Sequence, residues 1–208
     1  MRAPCYRRIA ADGRLASPEA EVSVPTSFPP RRSPPRGREV VLAVGPLAAG
    51  SLVGLLTNSR GRSWYRALAK PRWTPPDGVF GPVWTILYLL MGIAAALVAA
   101  RGAGDQDEAA SSVDDIDADT AASRRRVALA AFGVQLALNL LWSVVFFGAR
   151  RARLAAAEIA VLWLALVATI LAFVRVRLVS GALLLPYLAW TTFAAALNFE
   201  IARRNRGS

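Results

Sequence analysis

The sequence predicts an all-α integral membrane protein built as a bundle of five transmembrane helices. Three observations carry that prediction. Five long apolar runs succeed one another between residues 40 and 201, each near the ~20 residues that cross a ~30 Å hydrocarbon layer. The runs are continuous rather than alternating, so helices and not a barrel satisfy the backbone groups that lipid leaves without water. Arginines gather where the runs end, as membrane flanks do.

The bulk composition agrees and excludes much chemistry. Of 208 residues, 55% are hydrophobic, and 19% are charged against roughly 25% in ordinary soluble domains. The chain has no histidine, which removes the commonest general base and metal ligand. Its one cysteine, Cys5, rules out a disulfide framework and a cysteine metal cluster. No nucleophile–base pair or nucleotide-binding loop stands out, so no catalytic residue, metal or required cofactor is expected. The net charge of +11 is explained by the flanking arginines, and no nucleic-acid partner is expected beside the lipid bilayer.

Residues 1–39 hold eight arginines and seven prolines without a long apolar run, and are expected to form a disordered Arg/Pro-rich extension. The transmembrane domain then covers 40–205. Its helices are expected over Val40–Thr57, Val79–Ala100, Val127–Phe147, Leu154–Val174 and Leu178–Ile201. Gly102–Ser123, with seven acids, is expected to be a mobile hydrophilic loop, and Gly148–Arg153 and Arg175–Arg177 tight basic turns joining antiparallel neighbours. Pro186 marks the one place where the fifth run looks discontinuous. Arginines nearly balance on the two sides, so the orientation is not legible from them.

Within the first connection, Trp64, Tyr65 and Trp73 lie among Pro71, Pro75 and Pro76. Aromatic anchoring at the headgroup level accounts for the rings but not for the prolines, which stiffen the segment as a lid over something would require. Gln135, Asn139 and Ser143 share one face of the third helix, with Trp142 beside Asn139. Trp84, Tyr88, Met91 and Ala95 form a stripe on the second helix, and Tyr187, Trp190, Ala194 and Asn198 one on the fifth. Amides at membrane depth face the bundle, either as links between helices, the reading favoured for Gln135 and Asn198, or as pocket lining, the reading favoured for Asn139. Glu158, one turn into the fourth helix, is favoured there by the dipole and able to reach the interface, and a structural use is favoured over proton transfer. Gly50 and Gly54 form a small-residue pair suited to close packing.

The run from Trp64 to Gly92, with Trp73-Thr74-Pro75-Pro76 and Val79-Phe80-Gly81-Pro82-Val83-Trp84 at its centre, resembles the tryptophan-rich sensory protein / translocator protein family, once called peripheral benzodiazepine receptors. The resemblance continues through Ala137–Ser143, Phe146–Gly148 and Leu185–Trp190 to Asn198, and covers about residues 40–205. It implies a five-helix bundle with a ligand pocket opening toward the first connection, usually in a homodimer. The implied ligands are porphyrins, sterols and synthetic isoquinolines or benzodiazepines. The implied pocket residues are Trp64 and Tyr65 in the loop, Trp84 on helix two, Asn139 and Trp142 on helix three, and Trp190 and Ala194 on helix five.

The expected function is that of a multi-pass membrane sensor or receptor for a flat hydrophobic ligand, above all a porphyrin, with a regulatory or transport role. The alternatives are a porphyrin-degrading enzyme using pocket tryptophans and a sterol or lipid translocator. Phe199 and Glu200 stand where the vertebrate sterol motif has its tyrosine and the residue after it, which weakens the sterol reading. That divergence and a composition typical of GC-rich genomes favour a prokaryotic plasma membrane over a mitochondrial outer membrane.

Overall fold

The computed structural model describes residues 37–100 and 112–205, the side chains of 58–60 and 112–118 excepted. Among the described residues every regular element is helical. The order is α1 (Gly37–Ala67), α2 (Asp77–Ala100), α3 (Ser112–Ser143) continuing into a π-helical turn (Val144–Gly148), α4 (Ala152–Val176), α5 (Leu178–Ala182) and α6 (Leu185–Arg204). Five segments are long and apolar enough to cross a membrane: Gly37–Thr57, Asp77–Ala100, Asp119–Gly148, Ala152–Val176 and Leu178–Arg204.

Three features depart from the sequence expectation. First, α1 runs on to Ala67, so Trp64 and Tyr65 sit on a helix and not in a loop. No proline interrupts residues 58–67. The helix stops only where Pro71 biases Lys70 away from the helical region and Leu68 N–H turns back to the Tyr65 carbonyl. Second, α3 begins at Ser112, so the second half of the expected hydrophilic loop is helical. Third, the Glu158 side chain is half-buried against the bundle. Both its carboxylate oxygens are buried, with no hydrogen-bond partner among the described residues. The helix start at Ala152, two residues before the expected one, sets Glu158 deeper in α4. The extension 1–39 lies outside the described residues except for Gly37–Glu39, which open α1.

The expected discontinuity in the fifth span is present. α5 ends at Ala182 and α6 starts at Leu185, with Pro186 in its first turn, where its missing N–H costs nothing. A single extended residue, Arg177, joins α4 to α5. Gly181 makes that return tight, since a Cβ there would overlap the Val174 side chain.

The larger of two buried apolar clusters lies at the end of the bundle away from the α1–α2 connection. Met91, Ala94, Ala95 and Val98 of α2 pack with Ala128 and Phe132 of α3, Leu166 and Phe173 of α4, and Leu184. Four polar side chains sit among these apolar groups. Tyr88 Oη donates to Asn139 Oδ1 at 2.7 Å, Asn139 Nδ2 donates to Tyr187 Oη at 2.8 Å, and Gln135 Nε2 donates to Tyr187 Oη at 2.9 Å. This cluster ties α2, α3 and α6 together. α1 closes on α2 at two glycines: a Cβ on Gly50 would overlap the Tyr88 ring, and one on Gly92 the Ala43 carbonyl. Gly54, the other member of the small-residue pair, has no atom within 4 Å of a Cβ position and makes no such contact.

Gly92→Val should cost about 1–3 kcal/mol, because backbone must move, whereas Gly54→Ala should stay within about 0.5 kcal/mol of the parent. Thermal melting in one detergent compares them, and equal melting of the two variants would remove the α1–α2 contact at Ala43. Asn139→Leu strands the Tyr88 hydroxyl, leaves Tyr187 bonded to Gln135 alone, and should cost about 1–3 kcal/mol. Adding Tyr88→Phe should cost less on that background than on the parent, a coupling a double-mutant cycle reads directly.

Candidate ligand-binding site

A cavity of about 620 Å³ lies between α1, α2, the end of α3 and α6. That volume is within the range of small-molecule sites. Its wall is largely aromatic: Tyr65 from α1, Phe80 and Trp84 from α2, Trp142 from α3, and Phe146 and Phe147 from the π-helical turn. Helical spacing makes this wall. Phe80 and Trp84 share one face of α2, and Trp142 lies stacked on Phe146 one turn later, with centroids 5.2 Å apart and planes 12° from parallel. The π-helical register carries Phe147 inward as well, where it meets Phe146 edge-on at 4.9 Å. At the mouth stand Arg62, Arg66 and Asp77.

The structure brings together Tyr65, Trp84, Trp142 and Ala194 of the seven expected site residues as cavity lining. The other three lie behind the wall. Trp64 packs edge-on against Phe146 at 5.4 Å. Trp190 supports Phe80 at 5.8 Å and Phe193 at 5.5 Å. Asn139 is 1% exposed and reaches the cavity only through Tyr88, whose ring lines it. Trp84 leans on the same cluster, 5.5 Å from the Tyr88 ring and 6.1 Å from that of Tyr187.

Asn198 serves both as lining and as a link. With its carbonyl turned toward α3 it accepts from Trp142 Nε1 at 2.8 Å, while its amide donates to the Ala152 carbonyl at 3.1 Å. The Trp142 indole is thereby held in one orientation. Tyr65 offers the cavity a free donor: its hydroxyl is buried and has no partner among the described residues. Burial, and then the charge of Asp77, raise the Tyr65 pKa, so its proton stays on throughout the neutral range.

The connection Leu68–Pro76 is strapped to the end of α6. Asn205 accepts the Ala69 N–H through Oδ1 and donates to the Ala69 carbonyl through Nδ2, both at 3.1 Å. Lys70 Nζ donates to the Tyr65 carbonyl at 2.7 Å and lies 4.6 Å from the centre of the Tyr65 ring. Trp73 meets Phe193 edge-on at 5.7 Å. The sequence reading missed Phe80, Phe146 and Phe147 in the wall and the charged trio at the mouth. The signal for Phe80 and Phe146 was their i, i+4 spacing from Trp84 and Trp142, which extends each stripe by one turn; Phe147 and the charged trio carried none.

Residues 42–204 match the TspO/MBR family model. The tryptophan-rich protein TspO of Chlorobaculum tepidum is 37% identical over 167 residues, which are 80% of this chain and 95% of that protein. The tryptophan-rich sensory protein of Cereibacter sphaeroides is 41% identical over 142 residues, 68% of this chain and 77% of that one. The human translocator protein is 37% identical over 159 residues, 76% of this chain and 85% of that one. The aromatic cavity therefore sits in a five-span integral membrane protein that belongs to the TspO/MBR family.

Proposed function

We propose that the cavity binds a flat, mainly hydrophobic ligand with an anionic edge, a porphyrin above all, and that the protein senses or carries it. The observation that carries this reading is the combination of an aromatic wall with two guanidinium groups at one end. Tyr65, Trp84, Trp142 and Phe146 present ring faces and edges to a planar molecule. Arg62 and Arg66 stand where carboxylates on that molecule would emerge toward the headgroups. Tyr65 adds a hydroxyl donor inside. A porphyrin carrying propionates at one edge fits this division, and it needs no histidine because the macrocycle is held by its face. A sterol matches it less well, having no anion for the arginines and no π face for the rings. The names of the relatives, sensory protein and translocator protein, agree with a sensing or carrying role. The homodimer and prokaryotic plasma membrane implied by the resemblance and the composition belong to the same proposal.

Protoporphyrin titrated into protein in phospholipid nanodiscs, read by tryptophan quenching, tests the reading. Trp142→Ala should weaken binding by about 1–3 kcal/mol, a roughly 5- to 150-fold rise in Kd. Absence of saturable quenching in the parent would end the porphyrin assignment. The arginines give a separate expectation. Arg62→Gln combined with Arg66→Gln should weaken protoporphyrin by about tenfold or more and leave its neutral dimethyl ester unchanged. Equal losses for acid and ester would show that the guanidinium groups do not meet the ligand's carboxylates.

A further inference from the structure

The cavity wall is closed on one side and open on the other. The lining residues of α3, the π-helical turn and α6, among them Trp142, Phe146, Ala194 and Asn198, are buried or half-buried. On the facing side, Ser51 of α1 and Gly81 and Thr85 of α2 line the same cavity and are exposed. The cause is the way α1 meets α2. The helices touch where Gly92 faces the Ala43 carbonyl and where Gly50 faces Tyr88. One turn nearer the mouth the contact is lost: Gly54 and Gly81 have nothing within 4 Å of a Cβ position. The pair forms a V that is shut at its deep end and parted at its upper end.

The depth of the gap decides what it faces. Thr85 is eight residues into the span that opens at Asp77, which is about 12 Å along the helix. Ser51 is six residues inside the span that closes at Thr57, about 9 Å. Half of a hydrocarbon layer is ~15 Å, so most of the gap lies beside acyl chains and only its upper end, at Arg62, Arg66 and Asp77, is level with headgroups. Leu52, Leu55 and Leu56 flank it on the lipid-facing surface of α1.

We infer that ligand passes between the bilayer and the cavity sideways, through the gap between α1 and α2, rather than down from the aqueous mouth. The inference rests on the proposed ligand reading only for the identity of what passes. A flat hydrophobic molecule dissolved in the bilayer already lies at the depth of Ser51, Gly81 and Thr85. It slides edgewise between two helices whose facing residues are glycine, serine and threonine. Its anionic edge stays at the headgroup level and travels along Arg62 and Arg66, so the charge is never taken into hydrocarbon. The strapped connection over the bundle then has no need to open for each binding event.

Gly54→Leu and Gly81→Leu, singly and together, narrow the gap at positions with room for a side chain, away from the Gly50 and Gly92 contacts. The first measurement needs no ligand assignment. An apolar diazirine partitioned into phosphatidylcholine nanodiscs is photolysed, and the adducts are mapped by mass spectrometry. The parent should carry adducts on Trp142 and Phe146 inside the cavity as well as on lipid-facing Leu52 and Leu55. The double leucine variant should lose those on Trp142 and Phe146 and keep those on Leu52 and Leu55. Unlabelled cavity residues in the parent, or equal cavity labelling in the variant, overturns the inference. The second measurement is stopped-flow exchange of protoporphyrin. Closing the main route should slow association and dissociation together, each by about tenfold; faster dissociation would show that the leucines merely crowd the cavity they line and would overturn the inference. Unchanged rates overturn the inference. Should protoporphyrin fail to bind the parent, the ligand assignment falls and the labelling result still decides the route.

Discussion

Four polar side chains meet where no water can serve them, and the arrangement of α2, α3 and α6 depends on that meeting. In hydrocarbon an unpartnered hydroxyl or amide is costly, so Tyr88, Asn139, Tyr187 and Gln135 find one another. Lipid-facing leucines give helices little reason to choose one rotation over another. The cluster supplies the reason, because rotating any of the three helices would break at least one of its bonds. It also settles where the cavity begins. Tyr88 belongs to the cluster through its hydroxyl and to the cavity through its ring, and Trp84 rests on both tyrosines. The core below and the site above are therefore one construction divided at Tyr88.

Above that division the polar groups are handled differently. Trp142 is fixed by Asn198, but the Tyr65 hydroxyl is left buried without a partner among the described residues, and guanidinium groups stand at the mouth. A donor left open in a cavity walled by rings is costly for packing and useful for binding. The contrast between hydroxyls and amides that bond one another, with only the Gln135 oxygen left over in their cluster among the described residues, and a donor left open in the cavity separates the part of the bundle that holds shape from the part that receives a molecule.

Much of this was legible in the sequence, and the remainder failed for identifiable reasons. The five spans could be read because a continuous apolar run of that length has few other stable forms in a cell. The end of α1 could not, since Trp64 and Tyr65 follow polar residues that suit a loop or a helix equally, and only the turn before Pro71 fixes the boundary. The helical start of α3 was hidden by acids that suit a solvated loop and a helix N-terminus alike. Periodicity placed Asn139 on the inward face of α3, and it is there. Periodicity gives direction but not radius, and the tyrosines that occupy Asn139 come from helices far away in sequence. Phe147 depends on a π-helical turn, which shifts the register by a residue and leaves no signature in an apolar pattern.

The glycines show how one residue type can have opposite uses on the same helix pair. Gly50 and Gly92 are sites of contact, where the absent side chain lets a ring and a carbonyl approach α1 and α2 closely. Gly54 and Gly81 are sites of separation, where the absent side chain leaves space unfilled. Gly50 and Gly54 are one turn apart and identical in sequence terms, and a small-residue motif read alone would treat them as a single packing face. What distinguishes them is the partner across the gap. Gly50 faces Tyr88, which the polar cluster holds in place. Gly54 lies toward the cavity end, where no residue of α2 comes within reach. The open end of the V thus begins at the same tyrosine that holds its deep end: α1 is pinned at Tyr88, and at Gly54 and Gly81 no side chain fills the space beyond it.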